Sequence, residues 1–380
     1  MIAIVLGTRP EIIKMSPIVR ECDRRGLDYY ILHTGQHYSY EMDRAFFEAL
    51  ELPEPRYNLE VGSGSHSAQT GRIMTGIEEV FTTDRPDVAL VQGDTNTVLG
   101  GALAASKLHI EVGHVEAGLR SFDRRMPEEI NRVVADHISD HLFAPTELSR
   151  KNLLDEGIDE DKIHVTGNSV VDAVHQNLAI AEKTSDIHHT LGIDPGDYIV
   201  VTVHRAENVD SRERLTSVLT ALELVREEFD KEVVFPVHPR TKKMIEEFGL
   251  GIDGIRMVPP LGYLEFLQLE KEASLILTDS GGLQEEACIL NVPCVTLREN
   301  TERPSTIRVG ANILAGTETE RIVAASRIMI GRTRRWKNPY GDGRSGERTV
   351  DLLVKGDADM IRPSSIDVSL AEEFVGNETF

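Results

Sequence analysis

Residues 113–132 run GHVEAGLRSFDRRMPEEINR. The stretch ending at Val115 closes a strand, and Ala117-Gly118 make a turn. A loop rich in Arg and Asp follows. Pro127 then opens a helix, because its fixed φ and missing N–H suit a first helical position. This is one strand–loop–helix unit of an α/β sheet. It leaves Glu116 just past the strand's carboxyl end and Glu128 in the first helical turn, where open α/β sheets bind their ligands. In VQGDTNT (residues 91–97) Asp94 takes the equivalent place after the preceding strand. Three acids set out by consecutive units mark a candidate site.

The same alternation continues on both sides of this unit. Strands are expected at residues 2–6, 30–33, 88–92, 110–115 and 141–144, with helices at 12–25, 68–81, 96–107 and 128–139. Apolar runs without alternation suit strands buried on both faces of a parallel sheet. A second series of strands is expected at 198–203, 233–237, 256–259, 275–277 and 293–297, separated by helices at 212–229, 242–248, 263–270 and 282–289. Strands alternating with helices make βαβ units, so the fold class is α/β, with two Rossmann-like, doubly wound domains facing across a cleft. The boundary is placed at GNS, giving an N-terminal domain at 1–168 and a C-terminal domain at 169–357. Residues 358–380, polar and acidic, are read either as a helix returning to the first domain or as a frayed tail.

A chain of 380 residues is long for one core, which agrees with two domains. Its net charge of −22, from 41 basic and 63 acidic residues, excludes nucleic acid as a main partner. No apolar run approaches the ~18–20 residues of a membrane span, so no membrane partner is expected. MIAIVLGTRP lacks a basic leader and a cleavage site and is read as a first strand. Three cysteines without CxxC spacing suggest a reducing compartment, and a cytoplasmic location is expected.

Several motifs carry chemistry. GTRPEIIKM (residues 7–15) puts Arg9 and Lys14 on the loop and first turns of a helix, where an anion would be met; a solvated loop is the plainer reading. Asp94 is equally an ordinary N-cap, and Glu128 an ordinary partner of the helix dipole, although Glu129 beside it leaves one Glu to spare. Glu116 has no capping explanation. TVHRAEN (202–208) and FPVHPR (235–240) set His204, Arg205, His238 and Arg240 at strand ends, where a lone His is most often a core hydrogen-bonder. LTDSGGLQEEA (277–287) leads from a strand through Ser280, Gly281 and Gly282 into a helix, so that backbone N–H groups can approach a phosphate. Glu285 or Glu286, one turn on, can accept from a ribose hydroxyl. Together these pieces point to a nucleoside diphosphate. Neither a Walker A nor a GxGxxG motif is present, and the His114–Glu116 spacing lacks the second cluster a metal site needs. No metal is expected.

The ordered set GTRPEIIKM, GQH, QGDT, GHVEAGLRS, MPEEINR, GNSVVD, HRAEN, HPR, TDSGGLQEEA and TERP resembles the non-hydrolysing UDP-N-acetylglucosamine 2-epimerases, from residue 7 to about residue 304. The resemblance implies a GT-B glycosyltransferase-like fold, usually dimeric, so a homodimer is expected. It also implies interconversion of UDP-GlcNAc and UDP-ManNAc at the sugar's second carbon, through elimination of UDP to 2-acetamidoglucal and re-addition, with no metal or nicotinamide cofactor. By the same resemblance Asp94, Glu116, Glu128 and His204 are the catalytic residues. Arg9, Lys14, Arg205, His238, Ser280, Gly281, Gly282, Glu286 and Arg303 are implied as UDP and phosphate contacts. In bacterial members a second UDP-GlcNAc binds partly through the GQH segment, which makes Gln36 and His37 candidate allosteric residues. The loop SFDRRMPEE is also like that of relatives acting on UDP-2,3-diacetamido-2,3-dideoxyglucuronate, where Arg124 or Arg125 would meet the uronate carboxylate. A UDP-sugar glycosyltransferase or a non-catalytic UDP-sugar binder shares the fold; neither needs three crowded acids.

Overall fold

Ile2–Leu6 and Val88–Gln92 are strands buried at every position, as apolar runs without alternation require when both faces of a parallel sheet are covered. The computed structural model describes residues 1–35 and 40–359. In chain order the first part comprises β1 (Ile2–Leu6), α1 (Arg9–Arg25), β2 (Tyr29–His33), α2 (Tyr40–Ala49), β3 (Tyr57–Asn58), α3 (His66–Thr83), β4 (Val88–Gln92) and α4 (Asn96–Lys107). It continues with β5 (Glu111–Val115), α5 (Pro127–Ile138), β6 (His141–Ala144), α6 (Glu147–Asp155) and β7 (Ile163–Val165). Among the described residues these strands form a 7-stranded parallel sheet in the order β3-β2-β1-β4-β5-β6-β7.

The second part begins with α7 (Ser169–Thr184), α8 (Ile187–Leu191), β8 (Tyr198–Thr202), α9 (Ala206–Val209), α10 (Arg212–Phe229), β9 (Glu232–Pro236), α11 (Pro239–Phe248) and β10 (Ile255–Val258). Then come α12 (Tyr263–Lys271), β11 (Leu275–Thr278), α13 (Gly281–Ile289), β12 (Cys294–Thr296), α14 (Pro304–Arg308), β13 (Asn312–Leu314), α15 (Thr319–Ile330) and α16 (Ser345–Asp359). Its 6-stranded sheet is parallel as well, ordered β10-β9-β8-β11-β12-β13. Strand order reverses between β1 and β4, and again between β8 and β11. At such a switch point the following helices depart to opposite faces and a crevice opens at the strands' carboxyl ends. The loops after those four strands are therefore the ones placed to hold a ligand.

Each sheet is covered on both faces by apolar clusters. Two chain segments join the parts. Val170, Val171 and Val174 of α7 lie in the second sheet's core, while α16 returns along α1 and sets Val350 into the first sheet's core. The segments meet where Asn168 N–H donates to the Tyr340 carbonyl (2.8 Å) and Gly346 N–H to Asp172 (2.9 Å). The return is thus made by α16; of the stretch 358–380, residues 360–380 lie outside the described residues. The helix expected from residue 12 begins at Arg9, because Pro10 fits its first turn and Glu11 secures the turn ahead of it. The short strands β3 and β13 lack the apolar run that made the other strands readable.

Candidate active site

The β1–α1 turn lies hard against the start of α4. A Cβ on Gly7 would come within 2.1 Å of Thr97 Oγ1 and 2.4 Å of Thr34 Oγ1, so only glycine fits. Glu11 then folds back over the turn, and its Oε2 accepts from Gly7 N–H (2.7 Å) and Thr8 N–H (2.8 Å). Its other oxygen takes the Thr95 hydroxyl, tying the β1 and β4 loops together across the switch point. Burial raises the Glu11 pKa to about 7 against the opposing pull of those hydrogen bonds. Thr95, not Asp94, caps α4, accepting from Thr97 N–H (3.1 Å) and Val98 N–H (3.4 Å). Asp94 is left free for another task. Its carboxylate is bound to Arg132, and its carbonyl accepts from Asn131 Nδ2 (2.9 Å).

Glu116 follows β5 with φ at 71°, in the left-handed region that non-glycine residues rarely occupy. The strain directs its side chain into the crevice, the pattern typical of a functional position. Lys14 Nζ lies 2.8 and 2.7 Å from its two oxygens, and Gln92 Nε2 donates to one of them. Burial alone would raise the pKa of this carboxyl; Lys14, with Arg303 and Arg132 behind it, outweighs that and holds it below the usual value. Beneath the site, buried His114 meets Asp136 through Nδ1 (2.7 Å) and the Gly93 carbonyl through Nε2 (2.8 Å). A carboxylate and a carbonyl both accept, so the ring carries both protons. Burial opposes that charge, and Asp136 overrides it to raise the pKa. Arg120 closes the chain on Asp136 at 2.7 Å.

Of the two acids opening α5, Glu129 turns inward. It accepts from Ser121 N–H (2.9 Å), Ser121 Oγ (3.0 Å) and Phe122 N–H (2.9 Å), and pairs with Arg132 (2.6 Å). Glu128 is half-buried and has no hydrogen-bond or ion partner among the described residues.

The second sheet presents a different surface. Buried Asp279, just past β11, accepts from His204 N–H (3.1 Å), Arg205 N–H (2.9 Å) and Asn208 Nδ2 (3.1 Å). It also lies 3.0 Å from His204 Nδ1, so Nδ1 carries a proton and Nε2 points away from the strand on a side chain 42% exposed. Burial pushes the Asp279 pKa up, but His204 and these donors bring it below normal. His238 caps α11, with Nδ1 accepting from Arg240 N–H (3.2 Å), and its ring lies 6.2 Å from that of His204. No side chain caps α13. A Cβ on Gly281 or Gly282 would meet nothing nearer than 3.7 Å. The protein's own packing does not demand glycine there. Glu285 is committed to Arg303 (2.8 Å), whereas the Glu286 carboxyl, raised to about 7 by burial and by Glu285, lies against the Tyr263 hydroxyl.

These halves are what a nucleotide-sugar enzyme needs: acids on one side and an open helix start on the other. A family model described as UDP-N-acetylglucosamine 2-epimerase matches residues 20–354. The chain belongs to the UDP-N-acetylglucosamine 2-epimerase family. It is 57% identical to the UDP-N-acetylglucosamine 2-epimerase of Methanocaldococcus jannaschii over 93% of this chain and 99% of that one. A crystal structure of the M. jannaschii protein in complex with UDP-GlcNAc and UDP superposes with a TM-score of 0.83, at the same identity and coverage. The chain is also 41% identical to the UDP-2,3-diacetamido-2,3-dideoxy-D-glucuronate 2-epimerase of Pseudomonas aeruginosa, over 92% of this chain and 98% of the other. The family is one of isomerases, and the GT-B-like arrangement of two parallel sheets is common to these structures. Among the described residues no helix is long and apolar enough to cross a membrane.

Within this epimerase-family fold the expected residues fall into three groups. Glu116, Lys14 and Asp94 stand on adjoining loops of the first sheet, with Glu128 on α5. Arg9 lies there too, its guanidinium 5.3 Å from the centre of the Phe46 ring. His204, Arg205, His238, Ser280, Gly281, Gly282 and Glu286 stand on the second sheet's loops, and Arg303 near Glu285. Gln36 and His37 lie outside the described residues. Lys14, expected at a phosphate, is already occupied by Glu116. Reading the sequence missed Glu11, Gln92, Glu129, Arg132, Asp136 and Asp279. Only Asp279 carried a usable signal, an acid directly after a strand, which is the rule that found Asp94 and Glu116.

Proposed function

We propose that this protein interconverts UDP-N-acetylglucosamine and UDP-N-acetylmannosamine. The observation that carries the reading is the Lys14–Glu116 pair, with Asp94 on the next loop, in a fold whose other sheet offers the uncapped start of α13. UDP would lie on the second sheet, with its diphosphate at Ser280, Gly281 and Gly282, its ribose at Glu286 and His204 Nε2 at the leaving oxygen. The sugar then reaches the first sheet. Removal of the proton from C2 and rupture of the C1–O bond give 2-acetamidoglucal and UDP, which departs with the bonding electrons. Return of a proton to the opposite face of C2, with attack of the UDP oxygen on C1, gives the epimer. Positive charge developing at C1 is met by the carboxylates of Glu116 and Asp94, each held by a cation. Glu128, without a partner, is suited to proton transfer.

The uronate-type substrate of the P. aeruginosa relative receives less support. Arg125 is tied to Asp123 (2.7 Å) and 90% exposed, while Arg124 borders Val133, His137 and Glu156 on the outer side of α5. A homodimer in the cytoplasm completes the reading, and light scattering on the purified protein checks the dimer. The deciding experiment is incubation with UDP-GlcNAc in D2O, followed by NMR at C2 without added metal or nicotinamide. Deuterium at C2 together with UDP-ManNAc is expected. No exchange on this sugar, with exchange on the diacetamido-uronate, moves the substrate to the latter; free ManNAc as the main product makes the enzyme a hydrolase.

A further inference from the structure

The sugar-side loop and Asp94 are far apart in sequence, yet one pair of side chains holds both. Arg132 reaches Glu129 Oε2 through Nη1 (2.6 Å) and Asp94 Oδ2 through Nη2. Glu129, only 3% exposed, grips the loop from the other side through the N–H groups of Ser121 and Phe122 and the Ser121 hydroxyl. Phe122 needs that grip. Its φ is 60°, a left-handed conformation that a bulky residue adopts only when its surroundings impose it. Its ring is 77% exposed and borders a cavity of about 520 Å³ that also touches Met126, Leu148, Glu302 and Arg303, between the two halves of the molecule. Next to Arg132, Asn131 Nδ2 fixes the Asp94 carbonyl at 2.9 Å.

We propose that Glu129 and Arg132 are positioning residues that hold the Asp94 carboxylate and the Phe122 turn as one unit. The inference rests on the reading above, in which Asp94 acts on the sugar. A carboxylate on a loop reaches its productive position only if its own rotamer is locked, and a displacement of about 1 Å costs on the order of 100-fold in rate. Arg132 supplies that lock. Glu129 supplies the lock on Arg132 and extends it to the loop facing the second sheet, so the acid and the cavity wall move together. Neither residue needs to touch the substrate.

The test is a kinetic double-mutant cycle on the full-length protein with UDP-GlcNAc, active sites being counted by UDP titration. Arg132→Met is expected to lower kcat about 100-fold with KM within about 3-fold of wild type. On an Asp94→Asn background the same change is expected to cost less than about 3-fold, because the group it positions is already gone. A merely structural role lowers the unfolding temperature and the active fraction but leaves the two losses multiplicative. Should Arg132→Met fail to fold, Arg132→Lys and Glu129→Gln keep the bulk and the hydrogen bonds while loosening the bracket. About a 10-fold loss of kcat is expected for each, again largely absent on the Asp94→Asn background. Wild-type kcat in these variants, or multiplicative losses, overturns the inference. A wild-type protein that incorporates no deuterium at C2 overturns the proposed function, and this inference with it.

Discussion

Helices α1 and α13 both begin at a switch point; the turn ahead of one is filled by an acid of the chain, and the start of the other borders open space. At α1 the Glu11 carboxylate occupies the N–H groups of Gly7 and Thr8. At α13 an uncharged group takes the matching place, the Thr278 hydroxyl accepting from Ser280 N–H (2.9 Å), and the two glycines border open space. A helix start carries unsatisfied N–H groups and partial positive charge, which favour an anion. The first sheet packs its own acid into that turn and carries a set of ion pairs on its loops, Lys14–Glu116, Arg132–Asp94 and Arg120–Asp136. The second sheet keeps the start of α13 open, which is where the proposed function sets the diphosphate. On the proposed reading, one half is organised in advance for chemistry and the other for capture.

Breaking the first half should cost the most. Glu116→Gln is expected to lower turnover about 1,000-fold, and to lower the unfolding temperature as well, because it leaves the Lys14 ammonium buried without its counter-ion. UDP affinity should stay near wild type by calorimetry; turnover within about 10-fold of wild type removes Glu116 from the chemistry. Asp279→Asn comes next. His204 loses the carboxylate that fixes its Nδ1 proton, and kcat/KM should fall about 100-fold with stability less affected. In the open half, Gly281→Val fills only empty space. An unchanged unfolding temperature with UDP bound about 10-fold more weakly is expected, and unaltered UDP binding places the diphosphate elsewhere.

The smallest effect sharpens the comparison through pH. The folded-state pKa of Glu11, about 7, lies above its ordinary value of 4.5. Between those values the folded protein binds the proton more tightly than the unfolded chain does, so this carboxyl's contribution is complete below pH ~4.5 and is lost as pH rises towards 7. Urea denaturation of Glu11→Gln across pH 5–8 should show this part of the slope gone. An unchanged slope means the α1 turn is closed without titration of Glu11.

Much of this molecule was legible in its sequence, because burial on both faces of a parallel sheet forces apolar runs that stand out, and glycine or acid at a strand's end is conspicuous. The α/β class, most strands within a residue or two, and the family signature all follow from such local patterns. Other assignments waited for the fold. Thr95 and Asp94 are adjacent and both able to cap α4; which one does so was decided by Arg132, 38 positions away, drawing Asp94 off. Glu128 and Glu129 are chemically identical, and the helix phase, by pointing one at residues 121–122, decided which was spent on structure. Lys14 looked like a phosphate ligand until β5 brought Glu116 against it, 102 positions along the chain. Local pattern determines which element a residue joins; the partner of a charged side chain is set by long-range packing, which no short stretch encodes.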